Sequence, residues 1–167
     1  MGFCAYSGTG KTTLLRRLLP ELTSVHHLRI AVIKHAHHKF DVDQPGKDSY
    51  ELRKAGARQT LVSSSCRWVL INELAEGEDE KNLGELIAML DHGSLDLVLV
   101  EGFKKEPFPK IELHRIETGH ELMCLQDRQI IALACNTVEQ QKLNIPVFSI
   151  DDVSAIARFV VTYCKGS

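Results

Sequence analysis

The chain has 167 residues, hydrophobic residues at 44% and a formal net charge of −2 at neutral pH. That is enough apolar material for one domain with a real core, and the near-neutral balance argues against a nucleic-acid binder that works through a basic patch. The five cysteines form no C-x-x-C pair, no apolar run approaches the ~18 residues of a membrane span and no basic-then-apolar leader opens the chain, so we expect a cytoplasmic protein in a reducing compartment.

In chain order, Phe3, Cys4 and Ala5 make a short apolar run, short enough that the natural chain is expected to begin a few residues earlier. It leads into Ala5-Tyr6-Ser7-Gly8-Thr9-Gly10-Lys11-Thr12-Thr13. This reads as a phosphate-binding P-loop, which wants Gly, four residues, then Gly-Lys-Ser/Thr; Ala5 stands where the first Gly belongs. Leu14, Leu15, Leu18, Leu19 and Leu22 follow at helical spacing, and Pro20 ends or kinks that helix. Residues 28–33 form a buried-strand run that ends in Lys34-His35-Ala36-His37-His38. A polar loop follows, and Asp48 with Glu51 three residues on suggests an N-cap, with Gly56 closing the helix. Residues 60–64 and 67–71 are two strand runs with no helix between them, which predicts a hairpin and a mixed sheet. The charged residues 76–81 suggest a solvated helix entry; Leu83, Leu86, Ile87 and Leu90 then make a core-facing helical stripe. Residues 95–100 read as a central strand. Ile111 and Leu113 alternate with Glu112 and His114, predicting a strand with one wet face. Residues 130–134 and 145–150 are two late strands. Asp151 or Asp152 caps a last helix with the stripe Val153, Ile156, Ala157, Val160, Cys164.

Strands alternating with helices predict an α/β three-layer sandwich of the P-loop NTPase type. Its sheet is mostly parallel, with an inserted antiparallel hairpin, in a single domain spanning 1–167.

The chemistry follows from residue types. Backbone N–H groups from Ser7 to Lys11 can wrap a phosphate. Gly8 and Gly10 permit positive φ and leave no Cβ in the way. The helix that starts near Lys11 adds unpaired N–H groups and the positive end of its dipole. Lys11 reaches the β- and γ-phosphates and the Thr12 hydroxyl is placed for Mg²⁺. A glycine-rich turn before an ordinary helix uses the same residues; the strand ahead and the helix behind favour the P-loop. Glu101, after the apolar residues 97–100, is the candidate magnesium carboxylate, since ligands bind at the carboxyl ends of parallel strands; merely ending a strand is the alternative. His35, His37 and His38 sit at a strand end on the same edge; His35 and His37 could ligate a transition metal together, the alternatives being a polar loop that contacts phosphate or substrate, or simply solvated imidazoles. Asp41, Asp43, Lys47 and Asp48 suggest a functional loop, with Asp41 or Asp43 reaching magnesium through a water. Lys104 and Lys105 could bind a further phosphate. No Asn-Lys-x-Asp tetrad is present; Asn136 is the one candidate for contacting a base.

Together, 7–13, 34–38, 41–50, 53–57 and 100–104 make the chain resemble the MobB family of molybdopterin-guanine dinucleotide biosynthesis adapter proteins. The Asp-x-Asp-x-Pro-Gly-Lys-Asp-Ser stretch from Asp41 and the Glu-Gly-Phe-Lys stretch from Glu101 carry most of that likeness. The resemblance implies GTP with Mg²⁺, weak GTPase activity and a homodimer. It also implies a partner, a MobA-like guanylyltransferase that presents molybdopterin and joins it to GMP. On this reading Lys11 and Glu101 are the catalytic residues and Thr12 and Glu101 face the metal. Ser7, Gly8, Thr9, Gly10, Lys11, Thr12, Thr13, His37, Asp43 and Lys104 face the nucleotide. Neither nucleic acid nor membrane is an expected partner. Two other readings stand beside it. A P-loop small-molecule or nucleoside kinase would want an arginine-rich lid, whereas Arg53, Arg58, Arg67, Arg115 and Arg128 are scattered. A metallochaperone GTPase would use His35, His37 and His38.

Overall fold

The computed structural model describes residues 1–36, 40–137 and 143–166. The elements in chain order are β1 (Gly2–Ala5), α1 (Lys11–Pro20), β2 (Ile30–Lys34), α2 (Asp48–Lys54), β3 (Gln59–Ser63) and β4 (Trp68–Asn72). Then come α3 (Leu83–Ala88), β5 (Leu97–Glu101), β6 (Lys110–His114), β7 (Ile130–Cys135), β8 (Val147–Ser149) and α4 (Val153–Lys165). By packing, the chain divides into two compact units: Met1–His35 with Leu83–Ser167, and Ala36–Asn82.

The first unit is built on a six-stranded sheet in the order β2-β5-β1-β6-β7-β8, and every neighbouring pair is parallel. Strand side chains alternate between faces. Phe3, Ala5, Leu97, Leu99, Ile111, Leu113, Ala132 and Ala134 lie against Leu14, Leu15, Leu18 and Leu22 and against Ile156, Ala157 and Val160 of α4. Each large side chain buried this way contributes roughly 1.5–3 kcal/mol, so packing rather than propensity holds these helices. On the other face, Ile33 and Val100 meet Leu83, with Leu86, Ile87 and Leu90 of the predicted stripe packed around them. The result is helix, sheet, helix.

α1 behaves as its proline requires. Pro20 has no N–H to donate, α-helical pairing ends there, and the chain continues as one π-helical turn, Glu21–Val25, in which Leu22 is buried. Ser154 Oγ donates to Glu21 Oε1 at 2.8 Å and Arg17 Nη1 to Asp151 Oδ1 at 3.1 Å, tying this end to the start of α4. Of the two candidate caps for α4, Asp152 is the one used: its carboxylate accepts from Ala155 N at 2.9 Å. Cys164, predicted on the apolar stripe, is exposed.

β6 corrects the sequence reading. Its polar side is not wet: Lys110, Glu112 and His114 are all buried. Glu112 accepts from Met123 N at 2.9 Å and from Cys124 N at 2.8 Å. Lys110 Nζ donates to Lys104 O and Glu106 O, each at 2.9 Å, and pairs with Asp127 at 2.9 Å. The segment around Met123–Leu125 folds back over this side. Burial and then the Glu112 carboxylate push the Cys4 and Cys124 thiols up to about 12, so neither is a thiolate at neutral pH.

In the second unit, β3 and β4 form the predicted hairpin, but as a sheet of their own rather than as part of a mixed one. α2 begins one residue earlier than expected. Lys47 is the extended N-cap, Asp48 is already helical, and Gly56 closes the helix at φ 115°. Residues 76–81 are not a helix entry; Glu78 Oε2 instead accepts from Ala75 N at 2.9 Å and meets Arg58 at 2.8 Å. Arg53, buried, donates to Glu73 Oε1 at 2.7 Å and Asp41 Oδ1 at 2.5 Å, and those two carboxylates hold its guanidinium well above the ordinary value. Among the described residues no helix is long and apolar enough to cross a membrane.

Candidate nucleotide site

The site starts where β1 ends. Ala5, fully buried, is the last strand residue and is not one of the positive-φ positions, so the usual glycine is dispensable there. Gly8 and Gly10 do need their freedom, with φ 78° and 96°. Between them Thr9 is 2% exposed; its Oγ1 donates to Tyr6 O at 2.8 Å and its N–H to the same oxygen at 3.4 Å. The turn is thus braced from within. Gly10 is the N-cap of α1 and offers no side chain. The first-turn N–H groups of Lys11, Thr12 and Thr13 have no intrahelical acceptor. Ser7, Gly8, Thr12 and Thr13 are exposed.

Glu101 ends β5, the parallel neighbour of β1. Its side chain is 14% exposed; Oε1 lies 3.6 Å from Lys11 Nζ and Oε2 lies 4.0 Å from Lys34 Nζ. The strand end therefore presents an acidic group directly to the P-loop lysine. Behind it the backbone is crowded. His35 N donates to Glu101 O at 2.8 Å, and a Cβ on Gly102 would come within 2.6 Å of His35 Cβ. Gly102 at φ 99° is followed by Phe103 at φ 51°, whose ring lies 4.7 Å from that of His35. A non-glycine residue in this region costs about 1–2 kcal/mol. The Thr12 hydroxyl and the Glu101 carboxylate are both hard oxygen donors, a set that fits Mg²⁺.

The remaining predicted residues divide by unit. Lys104 is exposed, with Nζ 5.6 Å from the centre of the Tyr6 ring. His37 and His38 lie outside the described residues. Among those described, no group of three or more His, Cys, Asp or Glu could hold a metal. Asp41 and Asp43 belong to the second unit. There Asp41 is engaged by Arg53, which holds its carboxyl below the usual range, and Asp43 Oδ1 accepts from Gln44 N at 2.9 Å.

Three residues went unread in the sequence. Arg115, the first residue after β6, donates from Nε to Thr9 O at 3.1 Å and so touches the P-loop itself. Only the strand order, which sets β6 beside β1, reveals it. Tyr6 stacks on His120 with centroids 4.0 Å apart and 19° between planes. Lys110 fixes the turn that carries Lys104. Tyr6, Lys104, Leu122 and Met123 line a cleft of about 220 Å³ beside the loop.

The profile for "Molybdopterin guanine dinucleotide synthesis protein B" matches residues 1–136. The chain is 48% identical to the molybdopterin-guanine dinucleotide biosynthesis adapter protein of Escherichia coli (strain K12), over 99% of this chain and 93% of that protein. It is 40% identical to the Haemophilus influenzae protein of the same name, over 96% and 86%. Among solved structures, Bacillus subtilis MobB is similar at a TM-score of 0.75 and 28% identity, covering 99% of this chain and 98% of that one. With a phosphate loop, a facing strand-end carboxylate and this agreement along its length, the chain belongs to the MobB family, molybdopterin guanine dinucleotide synthesis protein B.

Proposed function

We propose that this protein binds GTP with Mg²⁺ at the P-loop, hydrolyses it slowly, and acts as a homodimeric adapter to a MobA-like guanylyltransferase. That partner would present molybdopterin and make the guanine dinucleotide form of the molybdenum cofactor. The observation that carries this reading is Glu101 set 3.6 Å from Lys11, in a chain of this family.

In this account Gly8, Gly10 and the first turn of α1 cradle the phosphates. Lys11 leaves Glu101 to neutralise the β- and γ-oxygens. Thr12 and Glu101 are the residues that would hold Mg²⁺, which when bound would neutralise charge building on the phosphate oxygens. Ser7, Thr9 and Thr13 complete the loop. Lys104, beside the cleft at Tyr6, is placed for a second phosphate such as that of the partner's substrate. Low intrinsic rates are typical when an arginine finger or a partner is missing, since that cation is worth roughly 10³–10⁵-fold.

The second unit supports the dimer. In the β3–β4 hairpin Leu61, Leu70 and Trp68 share one face, since Leu61 pairs with Leu70 and Ser63 with Trp68. They are 65%, 50% and 70% exposed. A contiguous apolar face of this kind marks an interface.

The experiment is dinucleotide formation by a purified MobA-like enzyme from molybdopterin and GTP, with and without this protein. The parent should raise the yield and Lys11→Ala should not. An equal effect of Lys11→Ala would contradict the reading. Transfer of labelled γ-phosphate to a small acceptor would favour the kinase alternative.

A further inference from the structure

One cation at the P-loop has no counter-ion within the protein. Lys11 and Glu101 answer each other at 3.6 Å. Arg17, Arg29, Arg53 and Arg58 each rest on a carboxylate, and Arg16, Arg67, Arg128 and Arg158 are exposed to solvent. Arg115 is different. It is half-buried, and among the described residues its guanidinium bonds a neutral carbonyl, Thr9 O, at 3.1 Å from Nε. The next acid along the chain, Glu117, is engaged elsewhere: both its oxygens accept from Asn136 Nδ2, at 2.6 and 2.8 Å. A guanidinium taken partly out of water keeps its charge and calls for an anion.

The backbone at Arg115 is held in place. Arg115 is the first residue after β6, the parallel neighbour of β1. Its carbonyl accepts from Thr118 Oγ1 at 2.7 Å and from Thr118 N at 3.1 Å. That 3₁₀ turn, Ile116–Thr118, closes on Gly119 at φ 68°, and Asn136 Oδ1 accepts from Ile116 N at 3.3 Å. Across the loop, a Cβ on Gly10 would meet Arg115 Nε at 3.9 Å. The guanidinium therefore lies against the N-cap of α1, where the unpaired N–H groups begin. Nε gives its one N–H to Thr9. The two amino groups keep four donors, and that planar fork matches phosphate oxygens in pairs.

Strand order separates this cation from the metal carboxylate. β5 flanks β1 on one side and β6 on the other. Glu101 ends β5, and Mg²⁺ in P-loop sites bridges the β- and γ-oxygens. Arg115 leaves β6, on the opposite side of β1. We propose that the Arg115 amino groups clasp the α- and β-phosphates, the part that GDP and GTP share, while Nε steadies the loop through Thr9. This rests on the nucleotide reading above and adds a phosphate-binding residue to it. The two cations then have separate duties. Lys11, released by Glu101, serves the γ-phosphate end with the metal, and Arg115 holds the diphosphate with or without it.

The test is calorimetric titration of GDP with chelator, and of GTP with Mg²⁺, at low and high salt. The proteins are the full chain, Arg115→Gln, Arg115→Lys and Arg115→Ala. A glutamine amide nitrogen stands where arginine Nε stands along the side chain, so Arg115→Gln keeps a donor for Thr9 O and removes the charge and the fork. It should lose about tenfold or more in affinity, by the same factor for both nucleotides, and depend less on salt than the parent. Arg115→Lys, which keeps the charge, should recover part of that loss, and Arg115→Ala should lose at least as much as Arg115→Gln. Parent-like binding by Arg115→Gln beside a loss in Arg115→Ala would make Arg115 a brace for Thr9 alone and overturn the assignment. A loss confined to GTP would put the guanidinium at the γ-phosphate and overturn it as well. In both cases the parent still binds and the P-loop reading stands; a parent that binds neither nucleotide overturns that reading itself.

Discussion

Lys11 and Glu101 are each other's counter-ions at 3.6 Å until a polyphosphate competes for the ammonium. Lys34 Nζ, 4.0 Å from Glu101 Oε2, still faces the carboxylate when Lys11 is removed, so the loss to the fold should be small. Lys11→Ala should therefore lose triphosphate binding by calorimetry while keeping a melting temperature close to the parent's. Glu101→Gln keeps the shape and removes the charge. It should weaken Mg²⁺-dependent GTP binding and hydrolysis yet leave metal-free GDP binding nearly unchanged; an unchanged Mg²⁺ dependence would make Glu101 only a strand end. Gly102 is a backbone requirement. Alanine there combines φ 99° with a Cβ 2.6 Å from His35 Cβ, and neither atom is the far end of a flexible chain. Gly102→Ala should cost roughly 2 kcal/mol or more, read as a lowered denaturant midpoint.

At the scale of the element, β6 shows where a sequence pattern misleads. Alternating Ile111, Glu112, Leu113, His114 is the signature of a strand with one solvated face. It cannot report that a later loop returns to cover that face and supply partners. Lys110 is 2% exposed and surrounded by two carbonyls and the Asp127 carboxylate. Lys110→Met should cost about 3 kcal/mol, because it strands the acceptors gathered around the ammonium. Partial burial pushes the Asp127 carboxyl up, but Lys110 and the Gln129 N–H outweigh it and leave it below its ordinary value. A lowered carboxylate contributes stability that is complete above the unfolded value and is lost as pH falls through the folded one. Melting temperature should therefore drop in acid, below the ordinary carboxylate range, and Asp127→Asn should flatten that drop. A parallel fall in both proteins would remove Asp127 from the account.

For the whole molecule, the alternation of strands and helices was legible, because buried parallel strands and amphipathic helices each have a period of their own. The P-loop was legible too, since its chemistry is local in sequence. Strand order was not, and with it went Arg115, Tyr6 against His120, and the pairing of Asn136 with Glu117, all contacts made across the chain. The hairpin was predicted, but its independence from the parallel sheet was not, because pairing to a third strand leaves no mark on 59–72. Its exposed apolar face gives an assembly prediction. Trp68→Glu with Leu70→Lys should turn a dimer into a monomer by light scattering, with α-helix content kept; a parent that is already monomeric would contradict the homodimer.

The Mg²⁺-dependent GTP site that we propose is organised by Lys11 and Glu101. Its most direct test is calorimetric titration of GTP against ATP, each with Mg²⁺ and with chelator. GTP should bind more tightly than ATP, Mg²⁺ should strengthen that binding, and Lys11→Ala should lose binding of both nucleotides. Equal binding of the two nucleotides, or GTP binding that survives Lys11→Ala intact, would contradict it.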